Sequence, residues 1–340
     1  MRIGYQTFIF SLQARDIIVL PSYKGSTLRG GFGNAFRKVV CALRKADCTE
    51  CILKEKCVYS YVFETPPHAG TKIMTKYDHA PHPFIIEPPL DCRQAFKRGD
   101  EITFGLTLVG RAIDYLPYFI YAFDELGKLG IGKGRGKYEL KYVGARCDAP
   151  GAGRAAQPLA ARSVIPAKAG IQEVIDCETI YDSGTKTVTS SSPNSIELGF
   201  DTSTPPATTL KQLSMTFLTP TRINYRGSLT LDLEFHILIR NLLRRISLLS
   251  YFHCGEDPAD VDFKGLIHLA EGVEVKERNL QWYDWERYSA RQDTRMKMGG
   301  FTGSVTFSGN IGPFLSLLKA GEVLHVGKGT SFGLGKYILA

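Results

Sequence analysis

No run of about eighteen consecutive apolar residues occurs in the 340-residue sequence, so no membrane-spanning helix is expected. The opening segment, MRIGYQTFIFSLQARD, lacks the long apolar stretch and small-residue cleavage site of a signal peptide. Gln13, Arg15 and Asp16 break its apolar character early. With no export signal, the expected compartment is the cytoplasm, and the eight cysteines are expected as metal ligands or free thiols rather than structural disulfides. Nor is the composition biased enough for a disordered chain: 44% of residues are hydrophobic and 22% charged. The length accommodates two domains with their own cores. A formal net charge of +8 favours a polyanionic partner, although many basic proteins bind nothing acidic.

Residues 5–20 read as a strand, ending at Pro21. Residues 26–45 read as a helix capped by Ser26 or Thr27, with Phe32, Phe36, Val39, Val40 and Leu43 on its apolar side. Strands are expected near 83–88 and 101–110, and a helix near 112–128. The Gly-rich GIGKGRG and the strand KYELKYV follow. This is the order of a ferredoxin-like fold, with a Cys-rich loop inserted after the first helix.

The same order returns further along. A strand is expected over 210–219, a helix over 232–252 capped by Asp232, strands over 280–288 and 300–308, and a short helix over 312–320. A Gly-rich loop and a last strand end the chain. The two endings match: Gly132-Lys133-Gly134 then Gly136-Lys137-Tyr138, against Gly327-Lys328-Gly329 then Gly335-Lys336-Tyr337. The expected fold class is therefore α+β, two tandem ferredoxin-like domains over 1–144 and 210–340. Between them, 145–175 reads as an Ala/Gly/Pro-rich insertion, 176–190 as an extra hairpin on the first domain, and 189–209 as a Ser/Thr/Pro-rich linker.

Five blocks, in this order, carry a family resemblance: PSYKGSTLRGGFGNAFR, FLTPTRINYRG at 217–227, Phe235 to Gly255, WYDWERYSARQDTRMKMGG at 282–300, and LHVGKGTSFGLGKYIL. Together they resemble the CRISPR repeat-processing endoribonucleases of the RAMP superfamily, over nearly the whole chain except 145–209. The resemblance implies tandem ferredoxin-like domains, CRISPR repeat RNA as partner and a C-terminal Gly-rich loop that touches it. It implies cleavage without metal, in which the ribose 2′-hydroxyl attacks the adjacent phosphate and leaves a 2′,3′-cyclic phosphate and a 5′-hydroxyl. A second implied role is that of a non-catalytic guide-RNA-binding subunit among other CRISPR effector subunits.

The residues suit RNA on their own terms. In GKGTSFGLGK, Lys328 and Lys336 stand among glycines that let backbone amides approach a phosphate, and Phe332 offers a ring for a base. The spacing does not fit a nucleotide-binding P-loop, and a tight turn alone would also select these glycines. On the expected helix 235–252, Phe235, Ile239, Leu242, Ile246 and Leu249 form an apolar stripe. His236, Arg240 and Arg244 recur on another face, with Arg245 beside them. Residues 282–297 interleave aromatics with Arg287, Arg291, Arg295 and Lys297. A solvated face is the plainer reading of each set.

Metal-free RNA cleavage needs a group that titrates near neutrality and a cation for the phosphorane. Related enzymes often carry a catalytic His on or just after the first helix, yet residues 22–60 contain none. Tyr23 and Lys24 are the substitutes there. His325 adjoins the Gly-rich loop and is the first acid–base candidate, with Lys328 as phosphate clamp and His253 as reserve. His68, His79 and His82 fall in a Pro-rich loop.

Cys41, Cys48, Cys51 and Cys57 are separated by six, two and five residues. The loop CALRKADCTECILKEKCVY resembles the iron–sulfur loop of base-excision DNA glycosylases, though there the loop lies near the end of an all-helical domain. Four such thiolates suit a [4Fe–4S] cluster, with a structural Zn²⁺ as the alternative and unligated cysteines as the third reading. Cys92, Cys147, Cys177 and Cys254 show no paired spacing.

Overall fold

A computed structural model of the chain describes residues 1–43, 47–68, 70–74, 77–146, 163–164, 174–175, 177–199, 210–289 and 294–340. It divides into two compact units. One comprises Gly4–Ser195, and the other Ile196–Ala340 together with Met1–Ile3.

The first unit is built from β1 (Arg2–Ala14), α1 (Gly25–Val40), β2 (Phe84–Glu87), β3 (Glu101–Val109), α2 (Leu116–Leu129), β4 (Tyr138–Arg146) and β5 (Cys177–Asp182). The sheet order is β2-β3-β1-β4-β5, and its pairings are antiparallel. The first four strands thus carry the ferredoxin-like arrangement. Phe8, Phe10, Leu12 and Ala14 alternate along β1 onto the helix-covered face and are all buried. On α1, Leu28, Phe32, Ala35 and Phe36 recur at helical spacing and are fully buried. Phe32 stacks on Phe119 and Phe123 of α2 at 4.9 and 5.1 Å between centroids, and Phe10 stacks on Phe104 of β3. Tertiary packing rather than capping fixes the ends of α1. It begins after Lys24 with no side-chain cap, so neither Ser26 nor Thr27 serves, and it ends at the extended Cys41 instead of running to 45.

The second unit holds β6 (Gln212–Thr221), α3 (Phe235–Leu249), α4 (Phe263–Glu271), β7 (Glu274–Tyr283), β8 (Glu286–Ser289), β9 (Thr294–Lys297), β10 (Gly300–Ser308), α5 (Leu315–Leu324) and β11 (Tyr337–Leu339). Its sheet order, β7-β10-β6-β11, repeats that of the first unit, while β8 and β9 form a separate hairpin. The apolar stripe on α3 is fully buried from Phe235 to Leu249. Asp232 does not cap α3, whose N-cap is Glu234; it pairs with Arg278 instead.

The two Gly-rich turns are closed in the same way. Lys133 N donates to Val19 O and Lys328 N to Arg222 O, both at 2.9 Å. Ile131 N donates to Gly136 O and Val326 N to Gly335 O, at 2.9 and 3.0 Å. The tyrosine that follows each turn donates its hydroxyl to the preceding helix: Tyr138 to Phe123 O at 2.7 Å, Tyr337 to Leu318 O at 2.6 Å. The duplication read from GKG and GKY is therefore a duplication of structure. Most of the expected insertion 145–175 and the second half of the expected linker lie outside the described residues. The expected hairpin exists: β5 extends the first sheet, and Thr189 N donates back to Ile180 O.

Candidate nucleic-acid interface

In the second unit the Gly-rich turn leaves Lys328 exposed and Lys336 half-exposed. A Cβ on Gly335 would stand 1.9 Å from Val326 O, so no other residue closes this turn without moving its backbone. Phe332, expected to stack on a base, is only 7% exposed and packs inward. His325 is fully buried. It ends α5 with a left-handed φ of 58°, and its Nδ1 donates to Leu334 O at 3.0 Å. Its surroundings make it a brace for the turn, and no imidazole edge reaches solvent in this conformation. Arg245 braces the same corner. Its Nε donates to Leu324 O at 2.7 Å and His325 O at 3.1 Å, and burial pulls its guanidinium down to about 9.

Arg240 and Arg244 point outward from α3, as the basic stripe predicts. His253 lies in the helical turn Ser250–Cys254 after α3 and is 6% exposed. On β7, Trp282 and Tyr283 are 41% and 42% exposed, and Lys297 of β9 is exposed. Arg287 and Arg295 lie on the two strands of the β8–β9 hairpin, where Arg287 is registered with Met296 and Arg295 with Tyr288. Arg291 is outside the described residues. The exposed cations and rings of this unit are those a single-stranded polyanion would use.

In the first unit Tyr23 and Lys24 precede α1. Burial, and then Glu87, raise the Tyr23 phenol well above its ordinary range. Lys24 is fully buried, and its Nζ donates to Asp91 O at 2.6 Å and Asp91 Oδ1 at 3.1 Å. Lys24 thus anchors the start of α1 and presents no cation to solvent, while Tyr23 is half-buried.

A different constellation stands one turn further along α1. The helical turn Ser60–Glu64 docks on α1 where Gly33 leaves room, with Phe63 ring atoms 2.3 Å from where a Cβ would sit. Arg29, one turn before Gly33, lies over the Phe63 ring at 4.5 Å. Its Nη2 donates to His82 Nε2 at 3.0 Å. Because guanidinium only donates, Nε2 is the acceptor and the His82 proton sits on Nδ1. That Nδ1–H donates to Thr65 Oγ1 at 2.8 Å, and the Thr65 hydroxyl donates to Val62 O at 3.3 Å. Thr65 is buried, and it holds this position with φ 51°, a costly conformation for a β-branched residue. Pro81 and Pro83 flank His82 and restrict its backbone. Three residues earlier, exposed His79 donates from Nδ1 to Glu64 O at 2.6 Å. Two imidazoles are thus tied through Nδ1 to adjacent residues, beside an arginine. The sequence showed these histidines in a Pro-rich loop, but their partners lie 53, 17 and 15 residues away, and no local pattern reveals such contacts.

Cys41, Cys48, Cys51 and Cys57 are each partly exposed. The Cys48 thiol is raised first by burial, then by Glu64, with Cys41 and Cys57 adding to the effect and Arg37 opposing it. Three of the four sulfurs are therefore electrostatic neighbours, with Arg37 hydrogen-bonded to Cys41. Among the described residues no group of three or more His, Cys, Asp or Glu is already drawn into a ligating arrangement. No helix among them is long and apolar enough to cross a membrane.

Comparison with known proteins agrees with this architecture. Residues 3–164 match the model of a family described as an N-terminal domain, AF_1859_N, and residues 215–337 match that of the CRISPR-associated endoribonuclease Cas6. An uncharacterized protein of Archaeoglobus fulgidus is 27% identical over 320 residues, covering 93% of this chain and 91% of its own. A Cas6 product complex aligns at a TM-score of 0.52 and 17% identity, covering 99% of this chain and 100% of that one. Thermus thermophilus Cas6 aligns at 0.50 and 15%, with 99% of each chain covered. These two likenesses show a shared fold along the whole chain. Residues 215–337 thus match the CRISPR-associated endoribonuclease Cas6 family model, and the whole chain shares its fold with solved Cas6 structures.

Proposed function

We propose that this protein is a metal-independent endoribonuclease that cuts CRISPR repeat RNA into guide units, and that His82 with Arg29 forms its acid–base centre. The carrying observation is the oriented imidazole: Nδ1 held by Thr65, Nε2 turned to Arg29. A bound phosphate would take over the Arg29 donor and release Nε2 as a base. His82 then removes the 2′-hydroxyl proton as the 2′-oxygen bonds to phosphorus and the bond from phosphorus to the 5′-oxygen breaks. The proton that leaves the 2′-oxygen is balanced by the one the 5′-oxygen gains, supplied by protonated His79 or by the His82 imidazolium. Arg29 faces the charge of the phosphorane. The nucleophile is internal and already close to phosphorus, so no metal is needed to generate it. Repeat RNA is the proposed substrate because the family match and the exposed Lys328, Arg240, Arg244, Trp282 and Tyr283 point to the same ligand.

Single-turnover cleavage of repeat RNA distinguishes His82 from His325. One positioned acid–base group contributes about a hundred- to ten-thousand-fold, so His82→Ala is expected to slow cleavage by at least about a hundredfold with RNA affinity retained. His325→Ala is expected to lower thermal stability first. Wild-type cleavage by His82→Ala would remove that imidazole from the reaction.

We further propose that Cys41, Cys48, Cys51 and Cys57 hold a structural metal centre that braces the loop after α1, a [4Fe–4S] cluster ahead of Zn²⁺. The spacing of the four cysteines within one short loop supports it, and Arg37, hydrogen-bonded to Cys41, would offset thiolate charge.

A further inference from the structure

We infer that the Gly-rich turn of the first unit, Gly130–Lys137, is a second phosphate-binding loop for the RNA. The inference rests on the reading that the chain binds RNA, but its observations are separate from those of the C-terminal loop. The turn itself needs glycine at three places, the first being Gly130, where a Cβ would stand 2.1 Å from Arg135 O. A Cβ on Gly132 would stand 2.1 Å from Val19 O, and one on Gly136 would stand 2.3 Å from Ile17 O. Nothing in that closure needs a cation. Yet the three intervening and following positions carry Lys133, Arg135 and Lys137, and all three side chains are exposed.

Three like charges within five residues repel one another unless water or an anion lies against them. The neighbouring carboxylates are otherwise engaged. Asp16 accepts from the Lys137 backbone N–H at 3.2 Å, and Glu139 is paired with Arg15 and Lys141. At the tip, Gly134 and Arg135 take left-handed φ values of 81° and 52°, and nothing lies within 4 Å of where a Gly134 Cβ would sit. The amides of Lys133, Arg135 and Lys137 donate within the fold, to Val19 O, Gly132 O and Asp16, but the open space at Gly134 lets a phosphate come close to the backbone between the three cationic side chains. The counterpart turn presents exposed Lys328 on the same backbone closure. The duplicated fold thus offers two equivalent cationic turns, and the first is the richer in charge.

The test is the affinity of the full chain for repeat RNA across a salt series, wild type against K133Q/R135Q/K137Q. Each phosphate contact on a single strand contributes about 0.7 to the slope of log affinity against log salt. The triple variant is expected to bind more weakly and to show a slope shallower by up to about 2, with its thermal midpoint unchanged because the replaced side chains are exposed. Single K133Q, expected to lower the slope by about 0.7, serves if the triple variant folds poorly. Unchanged affinity and slope, against a wild type that binds with clear salt dependence, would leave the loop a turn and overturn the inference. A wild type that binds no repeat RNA would overturn both this inference and the functional reading, and that outcome is seen without any variant.

Discussion

His325 illustrates what a residue-level reading of the sequence reaches. Its place beside the Gly-rich loop was legible, but its direction was not. The left-handed end of α5 turns the imidazole inward, onto Leu334 O, so adjacency in the chain became burial in the fold. Arg245 shows the same limit. It sits next to the exposed Arg244 on a basic stripe, yet it is buried and caps α5 through two carbonyls. Arg245→Met should leave the carbonyls of Leu324 and His325 without their donor. The expected cost is about 1–3 kcal/mol, read as a lowered midpoint in thermal or denaturant unfolding. An unchanged midpoint would mean that water replaces the guanidinium. Lys24 and Tyr23 follow the pattern, taken as reactive by position and found anchored by Asp91 or raised by burial. His82 is the converse: a histidine without a local signal gains a defined tautomer from Arg29 and Thr65 across long stretches of chain.

At the scale of elements, the ferredoxin-like order was legible wherever periodicity and core demand coincide. The apolar positions of α3 and those of α1 through Phe36 are the buried ones. Boundaries and caps were less legible, because packing rather than a side-chain hydrogen bond starts α1 and α3. Helix α4, whose N-cap Asp262 accepts from Gly265 N at 2.9 Å, was not anticipated; at nine residues its apolar repeat is short. The Cys-rich loop was legible as a spacing, and its chemistry is open to direct measurement. Anaerobically purified protein should show the broad visible absorption of an iron–sulfur cluster, or about one zinc per chain. Cys51→Ser should lower the unfolding midpoint of the first unit. Freshly prepared protein with neither metal rejects the centre.

Across the whole molecule, the duplication organises the fold. Two sheets of one order, two turns closed by matching backbone bonds and two tyrosines reaching back to their helices were foreshadowed by a few shared residues, GKG and GKY. The division between units was less legible. It falls after Ser195, inside a segment whose Ser/Thr/Pro content reads as linker although Asn194–Glu197 is a strand. A basic chain with exposed cations on both units fits a polyanion that each of them contacts. The most direct measurement is incubation of wild-type protein with its repeat RNA in EDTA, followed by analysis of the product ends. The account predicts cleavage, with a 2′,3′-cyclic phosphate on one product and a 5′-hydroxyl on the other. RNA bound but left intact would assign the chain to the non-catalytic guide-RNA-binding role, and cutting that strictly requires Mg²⁺ would contradict the mechanism itself.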